Sequence, residues 1–135
     1  MNFSTKASRE DMRVLDEYLP RLEERHEISI EMYGEGVKDR LCGHHETQHW
    51  GTFNSGTADR GSSIRVPTFT YANGKGYFED RRPGANADPY LVTGAIVDTC
   101  ILAGTKTFDD MVEHFKKWKN VSSKVESPPI EIANV

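Results

Sequence analysis

The sequence predicts an α+β domain in which an antiparallel β-sheet packs with helices. Two periodicities point there. Apolar residues recur at helical spacing over Arg9 to His26 and over Pro89 to Leu102. By contrast, Glu27 to Tyr33, Ser62 to Val66 and Gly76 to Asp80 alternate apolar with polar residues as half-buried strands do. A chain of 135 residues suits one domain large enough to bury a core.

In order along the chain, Met12, Leu15, Tyr18, Leu19 and Leu22 form the apolar stripe of the first helix. Ser8 is placed to cap it, with Asp11 three residues on to complete a weak capping box. Pro20 removes a backbone donor from this pattern and predicts a kink or two short helices. Ile28, Ile30 and Met32 alternate with polar residues and read as a strand. YGEGVKDRLCGHHE, from Tyr33 to Glu46, carries three glycines and reads as a loop. In the short strand ending at Pro67, Ile64 and Val66 face the core while Ser63 and Arg65 face away.

The turn ANGKG (Ala72 to Gly76) leads into the next strand, and ANADPY leads into the helix from Pro89, whose apolar residues include Leu91, Ile96, Val97, Ile101 and Leu102. Residues 1–104 make the domain. Thr107 is placed to cap an amphipathic helix over 105–120, with Asp109 and Asp110 in its first turn and Lys116, Lys117 and Lys119 in its last. The segment 121–135 is rich in Ser, Pro and Glu and is expected to be disordered. No internal repeat is present.

A net charge of −4 argues against nucleic acid as the main partner. Between Arg40 and Arg82, however, six Lys or Arg stand against four Asp or Glu, a local balance of +2 that suits a small carboxylate or phosphate. Cys42 and Cys100 form no CxxC pair, so neither a zinc ribbon nor a disulfide framework is indicated. The sequence has no apolar run of about 18 residues and no leader pattern at its start, so neither a membrane span nor a signal peptide is expected, and the location expected is cytoplasmic. His45 and His49 would share a face only if the residues between them were helical, which the nearby glycines argue against.

YFEDRRP, from Tyr77 to Pro83, concentrates opposed charge. On a strand Tyr77, Glu79 and Arg81 project together and Phe78, Asp80 and Arg82 face the other way, so each face carries one carboxylate and one guanidinium. Such a pattern serves either as a ladder of surface ion pairs, each contributing about 0–1 kcal/mol, or as a site.

Four motifs weigh on that choice: NFSTK (Asn2 to Lys6), YGEG followed by RLCGHHET (Tyr33 to Thr47), FNSGTADRGSSIRVP (Phe53 to Pro67) and GYFEDRRPGANADPY (Gly76 to Tyr90). In this order they resemble the C-terminal half of the catalytic domain of eukaryotic-type glutamine synthetase, over about residues 2–102. The resemblance implies ATP-dependent amidation of glutamate by ammonia through a γ-glutamyl phosphate, with Mg2+ or Mn2+. It further implies that Glu79 is a metal ligand, that Arg40, Arg60 and Arg81 bind glutamate, and that Asn2, Phe3, Ser4, Arg60, Arg65, Tyr77, Phe78 and Glu79 contact ATP. By the same resemblance Glu46 and Arg60 would take the catalytic roles, Glu46 as the flap carboxylate that excludes water and accepts a proton from ammonium, Arg60 at the transferred phosphoryl group.

The sequence also departs from the family. Val37 stands where Asn is usual, Asp59 replaces the Asn of ANRG, and Thr68 replaces the Arg after IRVP. Asp59 is expected to weaken the pull of Arg60 on phosphate. The family's metal-binding histidine precedes NFSTK and is absent from a chain that starts at Met1, which leaves Glu79 as the remaining family metal ligand. Two classes of function follow. In one, the chain supplies half of a synthetase active site and is inactive alone; in the other, it is an inactive paralogue that joins or regulates a full-length synthetase oligomer.

Overall fold

The computed structural model describes residues 1–44 and 47–103, together with Asp110, Glu113, Lys116 and Lys117. The helix expected over 105–120, the tail 121–135 and the residues His45 and Glu46 therefore lie outside the described residues or almost wholly so.

A four-stranded sheet and helices packed on it make the fold α+β. The strands are β1 (Asn2–Phe3), β2 (Ser55–Thr57), β3 (Ile64–Val66) and β4 (Phe78–Asp80), in the order β1-β4-β3-β2. β4 pairs antiparallel with β1 and β3, but β2 runs parallel to β3, so the sheet is mixed rather than wholly antiparallel. The return between these two strands spans residues 58–63. It is tied by Ser62 Oγ donating to Asp59 O at 2.7 Å and by Gly61 N donating to Asp59 Oδ1 at 2.8 Å.

The first helical stretch is divided, though not at Pro20. Helix α1 (Lys6–Glu10) is capped by Thr5, whose Oγ1 accepts from Ser8 N at 3.0 Å while Ser8 Oγ accepts from Thr5 N at 2.9 Å. Ser8 thus closes the capping box instead of opening it. Asp11 caps a separate 3₁₀ turn, Met12–Val14, through Arg13 N at 2.9 Å. Pro20 then sits inside α2 (Leu15–Glu24), where it and Asp16 four residues before it are exposed to solvent.

The strand expected at Glu27 to Tyr33 is instead helix α3 (His26–Met32). His26, Ser29, Ile30 and Tyr33 are all buried and recur every three or four residues, which is the helical spacing. Two of the four are polar, so the apolar letters alone mimicked alternation. A short helix, α4 (Val37–Arg40), also lies within the expected loop, and α5 (Thr68–Asn73) bridges β3 and β4.

The last described helix, α6 (Pro89–Val97), starts as expected with Asp88 Oδ1 accepting from Tyr90 N at 2.8 Å, and continues as a wide π turn, Asp98–Leu102. Its buried stripe is Val92, Ala95, Ile96 and Cys100, whereas Val97, Ile101 and Leu102 are exposed. α6 packs on α3, and the π turn packs on α2. Between these helices and the sheet lie Tyr18, Leu22, Ile64, Val66, Phe78 and Val92, all nearly inaccessible. No helix among the described residues is long and apolar enough to cross a membrane.

Candidate functional site

Side-chain alternation sends the two charged pairs of β4 to opposite faces. Asp80 and Arg82 point into the protein and are fully buried, while Glu79 and Arg81 lie on the open face with side chains 19% and 15% exposed. The ladder of surface pairs therefore describes neither face: one pair is a buried brace, the other part of a half-buried cluster.

The brace is closed on every side. Arg82 donates through Nε to Asp80 Oδ1 at 2.9 Å and through Nη2 to Asp80 Oδ2 at 2.8 Å, a bidentate pair. Tyr33 Oη donates to Asp80 Oδ2 at 2.7 Å, and Arg82 Nη1 donates to His26 Nδ1 at 3.0 Å. His26 must then be neutral and protonated on Nε2, which donates to Trp50 O at 2.6 Å. Burial pushes Asp80 upward, but the charge and hydrogen bonds of Arg82 more than offset it and hold the carboxyl below its ordinary range. Burial, assisted by the Asp80 charge, raises Tyr33, and burial lowers His26. With two ionised partners and a hydrogen-bond partner for each of its buried side-chain nitrogens and oxygens, the brace holds β4 from beneath.

Above it, the strand register aligns a row across all four strands: Gly56 opposite Arg65, Arg65 opposite Glu79, Glu79 opposite Asn2. Arg81 follows Glu79 on the same face. Glu79 Oε2 lies 2.5 Å from Arg65 Nε and 3.1 Å from Arg81 Nη1. The second contact is a hydrogen bond, but the Arg65 N–H is not aimed at the carboxylate, and the buried Nε has no hydrogen-bond acceptor.

The other expected residues surround this row. Arg40 Nη2 donates to the carbonyls of Arg81 at 2.9 Å and Arg82 at 2.6 Å, which brings a third guanidinium to the end of β4. Burial and the Arg81 charge lower its pKa. Arg60 is exposed on the β2–β3 return, and its carbonyl accepts from Arg81 Nε at 3.1 Å. Asp59 turns back to cap Gly61 and covers Gly56, where a Cβ would lie 2.7 Å from the Asp59 Cβ.

Ser4 Oγ accepts from Arg9 at 3.0 Å, and the Tyr77 carbonyl accepts from Thr70 at 2.8 Å. Phe78 is fully buried with its ring 5.8 Å from Phe3, so on the open face only its backbone is available to a ligand. Glu46 is outside the described residues. His26 and Tyr33, which the sequence reading assigned no role, prove to be parts of the brace; the one signal for them was the buried polar stripe of α3.

Among the described residues no group of three or more His, Cys, Asp or Glu converges. Glu79, the one carboxylate implied as a ligand, gives an oxygen to two guanidiniums. These residues by themselves do not fit a divalent cation, which needs several oxygen donors.

The site is thus an arginine-rich face of a small mixed sheet, and guanidinium forks match the geometry of oxyanions. No family model matches the chain. Curated relatives do. Over 103 residues, 75% of this chain and 29% of the relative, it is 53% identical to a glutamine synthetase of Hebeloma cylindrosporum and 52% identical to glutamine synthetase cytosolic isozyme 1-5 of Arabidopsis thaliana. It is 49% identical over 100 residues to a glutamine synthetase of Emericella nidulans. Over the matched residues the chain belongs to the eukaryotic-type glutamine synthetase family. It spans under a third of the length of these relatives.

Proposed function

We propose that this chain supplies the arginine-rich part of a glutamine synthetase active site, and that with the rest of such a site it takes part in ATP-dependent amidation of glutamate to glutamine. The observation that carries this reading is the convergence of Asn2, Arg65, Glu79 and Arg81 on one sheet face, from three motifs distant in sequence. Arg65 and Arg81 would hold the phosphoryl and carboxylate groups of ATP and glutamate, because guanidinium forks match those anions bidentately. Arg40 and Arg60 would extend the positive field toward glutamate and the transferred phosphoryl group, and Glu46 would act as the flap carboxylate. Asn2, Phe3, Ser4 and the backbone at Tyr77 and Phe78 would border the nucleotide.

Mg2+ or Mn2+ would neutralise charge on the nucleotide phosphates, with its other ligands supplied from outside the residues described. Tightening of the arginine cluster on a transferred phosphoryl group would stabilise developing charge. A cytoplasmic setting and association with further synthetase chains complete the reading.

The test is complementation. Mixing the chain with a polypeptide covering the matching upstream part of a eukaryotic-type synthetase should generate glutamine from glutamate, ATP and ammonia, and Glu79→Ala should remove that activity. Folded components that associate yet make no glutamine overturn the reading. The pure chain is expected to make none. A second reading, a catalytically inactive regulator of intact synthetase, draws on the tying of Glu79 to arginines; it would be marked by loss of intact enzyme activity when this chain is added.

A further inference from the structure

Glu79 is a poor match for the arginines that hold it. A carboxylate that satisfied Arg65 and Arg81 would offer two oxygens to two forks. Here each guanidinium approaches the same oxygen, with Oε2 lying 2.5 Å from Arg65 Nε and 3.1 Å from Arg81 Nη1. The Nε of Arg81 donates to the Arg60 carbonyl, and Nη1 donates to Glu79. The Nε of Arg65 is near enough for attraction but wrongly aimed, and stays an orphaned buried donor. Arg40 adds positive charge nearby through its bonds to the Arg81 and Arg82 carbonyls. The backbone beneath is held by the Asp80–Arg82 brace, so the arginine carriers are preformed while the Glu79 side chain, 19% exposed, has a path to water.

We propose that, in the chain by itself and without a bound cation, Glu79 acts as an internal counter-ion that occupies an oxyanion site formed by Arg65 and Arg81 and competes with incoming tetrahedral oxyanions. A tetrahedral oxyanion presents several acceptor oxygens in different directions and can meet the Arg65 Nε that Glu79 leaves unsatisfied. Binding requires the carboxylate to leave Arg65 and Arg81 and return to solvent. The affinity of the wild-type site is therefore lowered by the fraction of molecules in which Glu79 occupies it. Removing the Glu79 charge should strengthen anion binding, the opposite of what loss of a metal-ligand carboxylate does to a metal-dependent nucleotide site.

The inference rests on the anion-binding part of the reading above, and the test separates the two. Inorganic sulfate, a dianion whose charge is constant near neutral pH, is titrated at fixed ionic strength without divalent cations into the full chain, Glu79→Gln and Arg65→Gln, following backbone amides by NMR. Glu79→Gln should bind sulfate about tenfold more tightly than wild type, with shifts at Arg65 and Arg81, and Arg65→Gln more weakly. Should Glu79→Gln fail to give the wild-type amide spectrum, Glu79→Ala serves in its place. Sulfate binding that depends on Arg65 but is unchanged or weakened in the Glu79 variants overturns the counter-ion role and leaves the anion-site reading standing. Binding indifferent to Arg65, or no binding by any variant, overturns both.

Discussion

Arg82 and Asp80 are among the few charged side chains with no accessible surface, and what surrounds them decides whether that is a cost or a support. Their charges cancel at bidentate distance, Tyr33 and His26 take the remaining bonds, and the rings of Tyr33 and Phe53 lie 5.4 Å from the guanidinium. Arg82→Met leaves the Asp80 carboxylate buried without its counter-charge and should cost about 3–5 kcal/mol. Replacing both residues by apolar ones of similar volume should cost less than either single change, a coupling that a denaturant double-mutant cycle reads directly.

His26 adds a pH dependence with a definite sign. Its folded pKa is lowered by burial and by Arg82, only partly offset by the Trp50 bond and by Asp80 and Glu27. The unfolded chain therefore takes up the proton first. Stability from this residue is complete above its ordinary value of about 6.5 and is lost as pH falls through the lower folded value. Urea unfolding should show this loss in the wild type and a flatter profile in His26→Gln; equal slopes would mean that His26 contributes nothing to it.

At the scale of elements, the informative contrast lies between helices defined by their caps and the helix defined by its partners. α1 is specified locally, since Thr5 and Ser8 close a reciprocal pair of bonds. Thr5→Ala should therefore lower stability by about 1 kcal/mol, visible in the denaturation midpoint without a change in its slope. α3 is specified by what it meets: His26 reaches Trp50 and Arg82, and Tyr33 reaches Asp80. Its stripe was hidden in the sequence because half of it is polar, so Ile28, Ile30 and Met32 stood out in its place. The strand at Phe78 to Asp80 was legible because strict alternation has only one structural reading on a two-faced sheet.

Across the whole molecule, the sheet order leaves β1 and β2 as the edges among the described residues, each paired on one side only. An edge with open backbone donors and acceptors invites pairing. Sedimentation across the micromolar range should show concentration-dependent dimers or larger species, and a monodisperse monomer throughout would count against an exposed edge.

The sequence by itself determined the family, through four motifs in order, and the α+β class, through the helical spacing of Arg9 to His26 and Pro89 to Leu102 and the alternation of Ser62 to Val66 and Gly76 to Asp80. It also determined that Glu79 and Arg81 share a face, because that follows from alternation alone. Only the tertiary structure decided that Arg65 lies opposite Glu79, that the second charged pair is a buried brace rather than a surface ladder, and that α3 is a helix. Each of these depends on which residue from a distant part of the chain arrives as a neighbour, and neither spacing nor local propensity carries that information.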